Sequence, residues 1–143
     1  MSALRTALRF WRDARGVSAI EFAMLAMVFF TLIFGIVIYG AYFASLMVVH
    51  HIASEAARAT VSGLTDDERS TLAHARADEV EASFSTFLDA ATLQVDTTAA
   101  GQGLYEVTVS QEFDSFGLTS ISPFLPLPPA HQTATVQVSH GGY

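Results

Sequence analysis

The chain has 143 residues, no cysteine and a formal net charge of −7. That length admits one membrane anchor and one small domain, and the missing cysteine excludes disulfide staples, thiolate zinc sites and cysteine nucleophiles. The acidic balance argues against nucleic-acid binding, which wants a basic face.

Charge is distributed unevenly along the chain. Residues 1–16 carry Arg5, Arg9, Arg12 and Arg15 against Asp13, a net of +3. From His50 onward twelve acids face only Arg58, Arg69 and Arg76, a net of −9. Between these blocks runs a segment whose one acid, Glu21, stands at its start; from Phe22 to Val49 there are 28 residues without a charge. A helix needs about 20 apolar residues to cross a bilayer, so this segment spans. Arginines ahead of a first span keep that side in the cytoplasm, so the acidic tail is expected to be exported. A secretory signal begins similarly, but its apolar region is only about 7–15 residues, and no well-placed small-x-small site follows here.

Glu21 needs an explanation, because an acid at the bilayer boundary normally has a partner or a function. Gly16 stands five residues before it and Phe22 directly after it. The helix is expected to begin near Val17 and continue past the membrane to about Ser62, through the helix-favouring Ala53, Ala56, Ala57 and Ala59, with Gly63 as its stop. At about 1.5 Å per residue this is a rod of roughly 65 Å, its lower half sheathed by lipid or sibling helices and its upper half by the tail. Gly35 and Gly40 read as ordinary membrane-helix glycines. The sharper alternative is close helix approach through Ala19 with Ala23 and Gly40 with Ala44.

A second, amphipathic helix opens at Thr65-Asp66-Asp67-Glu68, a capping box with Thr65 at the N-cap and acids filling the first turn. Leu72, Val80, Phe84, Phe87, Leu88 and Ala91 recur near helical spacing, with Asp78, Glu79 and Glu81 largely opposite. Phe84 and Phe87 read as packing residues. Beyond Ala91 the period falls to two. Leu93 and Val95 suggest a short strand, and Ala100-Gly101-Gln102-Gly103 a turn. Tyr105, Val107, Val109, Gln111 and Phe113 then mark the inner side of a half-buried strand. Ala134, Val136 and Val138 mark another. The intervening stretch, Phe116 to Pro129, holds Pro123, Pro126, Pro128 and Pro129 among large apolar residues; proline cannot donate to a ladder, so this is an irregular connection. It reads as a lid over the domain's own core, with a docking loop for another subunit as the alternative. The fold class is therefore α+β: a long N-terminal membrane-spanning helix, a second amphipathic helix and a small antiparallel sheet of about three strands.

The histidines, His50, His51, His74, His131 and His140, are scattered. Neighbours on a helix do not face one another, so His50 and His51 cannot chelate together; His51 and Glu55 share a face, but two ligands leave a metal site incomplete. No nucleophile elbow and no phosphate-cradling glycine loop is present. No catalytic residue, metal site or cofactor is expected, and the chain does not read as an enzyme.

The junction resembles the processing site of the type IV pilin superfamily, in which a basic leader ends in glycine, a prepilin peptidase cuts after it, and glutamate followed by an aromatic stands at the fifth mature position. Arg12-Asp13-Ala14-Arg15-Gly16-Val17-Ser18-Ala19-Ile20-Glu21-Phe22-Ala23 looks like the opening of TadE-like proteins, the minor pilins or pseudopilins of tight-adherence (Flp) pili. Ala53-Ser54-Glu55-Ala56-Ala57-Arg58-Ala59 looks like their post-membrane helix. The resemblance implies cleavage between Gly16 and Val17, with Glu21 and Phe22 serving recognition and assembly. It implies three regions: a cleaved basic leader at 1–16, a transmembrane and extended helix at 17–62, and an exported small domain at 63–143. The implied partners are the prepilin peptidase, other pilin or pseudopilin subunits and the pilus assembly platform. The implied place is the bacterial inner membrane, single-pass, with the N-terminus cytoplasmic. The rival expectation is an uncleaved single-pass protein whose exported domain binds an envelope or secretion-machinery partner.

Overall fold

The computed structural model describes residues 14–85, 92–101, 103–113 and 126–139, with side chains from Val17 onward. The uncharged run and the alanine-rich stretch after it lie in one helix, α1 (Ala14–Thr60). A tight turn leads to α2 (Asp66–Ser83). Three strands follow: β1 (Gln94–Gly101), β2 (Leu104–Glu112) and β3 (His131–Ser139), in the order β1-β2-β3 and antiparallel throughout. The expected α+β class with three antiparallel strands is the observed one. The chain divides into two compact units, the first ending at Val37 and the second beginning at Ile38.

In the first unit the helix offers its side chains outward. Phe22, Met24, Leu25, Phe29 and Leu32 are all exposed. The Thr31 hydroxyl donates to the Met27 carbonyl at 2.8 Å, which keeps a polar group paired inside an otherwise apolar stretch.

The second unit has its own core. Val48, Val49, Ile52, Ala53, Ala56 and Ala57 of α1 join Ala73, Ala77 and Val80 of α2 and Tyr105, Val107, Val109 and Ala134 of the sheet. These α1 positions recur every three to four residues, so one stripe of the helix is buried. Four of the core residues shared between the two helices are alanines with no exposure, Ala56, Ala57, Ala73 and Ala77; small side chains keep packed helices close. Each inner row of the sheet crosses all three strands: Val95 with Val109 and Ala134, then Thr97 with Val107 and Val136. The uncharged run is longer than a bilayer requires because its last part belongs to this core.

Local chemistry sets the boundaries. Helix α1 ends at Thr60, two residues before the expected Ser62, where the Thr60 hydroxyl donates to the Ala57 carbonyl at 2.7 Å. Gly63 donates its N–H to the Thr60 carbonyl at 3.1 Å, but it does not act as a left-handed cap. Its glycine is a matter of space: a Cβ there would lie 2.7 Å from Arg69 Cγ and 2.9 Å from Arg69 N. The N-cap of α2 is as expected, with Thr65 Oγ1 accepting from Glu68 N at 3.2 Å. Glu68 reaches back one residue further than a capping box requires and accepts from Leu64 N at 2.9 Å. The apolar face of α2 is narrower than expected, with Ala73, Ala77 and Val80 buried and Phe84 already the C-cap. Phe87, Leu88 and Ala91 lie outside the described residues. Strand β1 is longer than the short strand expected, and the turn to β2 uses left-handed backbone at Gly101 (φ 76°) and Gly103 (φ 74°), where glycine alone is unstrained. Of the Pro-rich connection only residues 126–129 are described, and they are irregular; residues 114–125 lie outside.

One buried polar tie was not foreseen. Gln132 is 1% exposed; its Oε1 accepts from Ser45 Oγ at 2.8 Å and its Nε2 donates to the Tyr42 carbonyl at 3.0 Å. At the other end of the sheet the Tyr105 hydroxyl donates to the Asp66 carbonyl at 3.2 Å. The sheet is thus tied to α1 near one end and to the start of α2 near the other. Removing one partner of a buried pair leaves the other unsatisfied, at a cost of about 1–3 kcal/mol. Gln132→Ala is therefore expected to lower the unfolding free energy of the detergent-solubilised chain by about that amount. Adding Ser45→Ala to it should cost less than the two single changes summed, and strict additivity in that double-mutant cycle would show that the tie contributes nothing.

Candidate functional site

The residues singled out at the junction fall in the first turns of α1. The Gly16–Val17 bond lies in the opening turn, since the helix begins at Ala14. The first backbone N–H groups of a helix have no intrahelical acceptor, and glycine disfavours the helix by roughly 1 kcal/mol relative to alanine. Opening this turn into an extended strand is accordingly cheap there and would be costly a few turns further on. Val17 is 55% exposed and Phe22 73%. Glu21 is exposed as well, and no hydrogen bond or ion pair joins it to another described side chain. Val17 and Glu21 are four residues apart, so they share one face of the helix, one turn separating them.

Electrostatically the site is simple. Glu21 is followed along the helix by the apolar Phe22, Met24 and Leu25, all exposed, and preceded in sequence by the arginine-bearing residues 1–16. Arg5, Arg9 and Arg12 lie outside the described residues, as does the side chain of Arg15. An exposed apolar surface on this scale marks a contact with lipid or with other protein. The 44 residues Val17–Thr60 form a helix long and apolar enough to cross a membrane. A carboxylate at the rim of such a surface, one turn from the residue that cleavage would make N-terminal, can pair with a cation brought to it by another molecule.

The remaining candidate groups do not converge. His51 stacks edge-on to Phe84, with centroids 5.7 Å apart. Glu55, its neighbour one turn along, pairs instead with Arg76 of α2 at 2.8 Å, which also pairs with Glu79 at 2.7 Å. These hydrogen bonds, with Glu55 foremost, raise the Arg76 guanidinium above its usual range. Arg76 is thus a clamp between two helices, a long-range pairing of which the local spacing of Glu55 carries no signal. His74 Nδ1 lies 2.8 Å from the Ser70 carbonyl, a local helix contact. His131 is 3.8 Å from Glu112, both on the exposed sheet face; His140 lies outside the described residues. Among the described residues no three His, Cys, Asp or Glu side chains gather to hold a metal.

No curated protein and no solved structure matches the chain. A family model does, over the helix that carries Gly16, Val17, Glu21 and Phe22: residues 16–58 are similar to the family described as TadE-like protein.

Proposed function

We propose that this chain is a minor pilin or pseudopilin of a Flp-type pilus, made as a precursor, cut by a prepilin peptidase after Gly16 and assembled through its N-terminal helix. The TadE-like match supports a pilus-associated protein. The observation that carries the finer reading is the arrangement at the start of α1, where Gly16–Val17 lies in the weak first turn and Glu21 one turn from Val17, beside an apolar face that no other described residue covers. Such a face and such an acid are of use to a subunit that leaves lipid to pack against siblings. The chain's partners on this reading are the peptidase, other pilin or pseudopilin subunits and the assembly platform in the membrane. Its role is structural.

The arginines ahead of the span favour a cytoplasmic N-terminus, with the domain beyond the inner membrane. A reporter fused after Tyr143 is expected to be active only if it functions on the outer side of that membrane. Activity of a cytoplasm-only reporter at the same point would overturn the orientation and the pilin reading with it. The mass of the membrane-resident protein is the companion measurement. A chain beginning at Val17 supports processing, while a full-length chain from cells that hold the peptidase favours an uncleaved single-pass protein.

A further inference from the structure

Four aromatic rings meet at the base of the second unit. Tyr39 and Phe43 of α1 lie with centroids 6.4 Å apart, Tyr42 is edge-on to Phe43 at 5.6 Å, and Tyr42 is edge-on to Phe113 at 5.4 Å. The cluster therefore joins the helix to the end of β2. Phe113 is held there by its N–H, which donates to the Ala130 carbonyl at 2.6 Å and so ties the end of β2 to the start of β3. Phe43 is 56% exposed. The same end of the domain holds the Gln132 tie to Tyr42 and Ser45, so it is fixed along the helix.

We propose that this base is a lipid-headgroup contact surface, with Tyr39, Tyr42, Phe43 and Phe113 as an interfacial aromatic belt. The proposal rests on the reading of α1 as a membrane anchor. Two observations favour lipid over other occupants. The first is length: about 20 apolar residues cross the hydrocarbon, and counting from Phe22 reaches about Ala41, the level of this cluster. The second is residue type. Tyrosine and phenylalanine present a large apolar body, and the tyrosine hydroxyls need water or a headgroup, a combination that suits the membrane–water boundary. On this proposal Phe113, at the end of β2, is in contact with the headgroups. Among the described residues, Glu112 and His131 at this end are exposed on the sheet's outer face.

The test uses the full chain at one copy per phosphatidylcholine nanodisc, with Trp11→Phe removing the natural tryptophan so that each variant carries a single fluorophore. Phe113→Trp and the surface variant Ala130→Trp probe the base. Ser139→Trp probes the far end of the sheet, and Phe30→Trp the span. Lipids carrying a quencher at the headgroup should quench Phe113→Trp and Ala130→Trp several-fold more than Ser139→Trp. If the two base variants are quenched no more than Ser139→Trp while mid-chain quenchers reach Phe30→Trp, the belt is refuted and the anchor stands. Escape of Phe30→Trp from mid-chain quenchers would refute the anchor, and the belt with it. Blue-shifted, unquenched emission at the base that needs several copies per disc would overturn the proposal in favour of a second copy of the chain. Ala130→Trp keeps the test intact should Phe113→Trp fail to fold.

Discussion

Gly16→Val is expected to abolish processing. The residue before the scissile bond must enter a narrow peptidase site, and glycine alone adds no side chain there. The bond also has to leave the helix, since α1 begins at Ala14. Valine stiffens the local backbone at χ1 and places two methyl groups beside the bond, so both the opening of the turn and the fit of the substrate suffer. The variant should accumulate in the membrane with its leader attached. The sequence supplies a direct readout besides mass. Trp11, the one tryptophan, precedes Gly16, so a chain cut after Gly16 would be tryptophan-free and an uncut one would not. Purified wild-type protein should lack tryptophan emission and the Gly16→Val protein should show it. A variant product with the mass of processed wild type, or wild-type protein that keeps its tryptophan, would remove the cleavage assignment.

How much of this was legible beforehand depended on the kind of interaction. The long apolar helix, the N-cap at Thr65 and the alternation through β2 and β3 rest on local pattern, and each appears in the structure. Tertiary partners were less accessible. Gln132 continues the inward series of Ala134, Val136 and Val138 by one step, so its burial was readable from the register. Its pairing with Ser45 was not, because 87 residues separate them. Gly63 looked like a helix stop, yet its requirement comes from Arg69, a contact that no helix-boundary rule describes. The length of β1 was underestimated because Thr97, Thr98, Ala99 and Ala100 lack the apolar alternation of a half-buried strand. Edge position explains this: β1 pairs only with β2 among the described strands, and its residues from Thr98 onward are exposed.

The second large effect concerns Glu21, on which the two functional readings diverge. On the proposed processing, cleavage would create an α-amino group at Val17, one helical turn from Glu21. A sibling subunit displaced along the helix axis can set its ammonium against that carboxylate. Two charges that leave water are then paired, and breaking such a pair costs about 3–5 kcal/mol in the buried limit and less where water reaches it. Within the chain Glu21 is exposed and makes no polar contact with another described side chain, so its removal should leave the fold of the second unit untouched. Insertion should be no worse, because removing a charge near the bilayer eases it. Glu21→Ala is therefore expected to reach wild-type membrane levels, to be cut largely as wild type is, and to be missing from sheared pili and from cross-links to other pilins. Glu21→Gln separates charge from shape: it keeps the side chain's length and hydrogen-bonding capacity but cannot neutralise an ammonium, so it should fail as the alanine variant does. Normal incorporation of both variants would leave Glu21 an ordinary boundary acid, and the chain would then be better described as a plain membrane anchor for its exported domain.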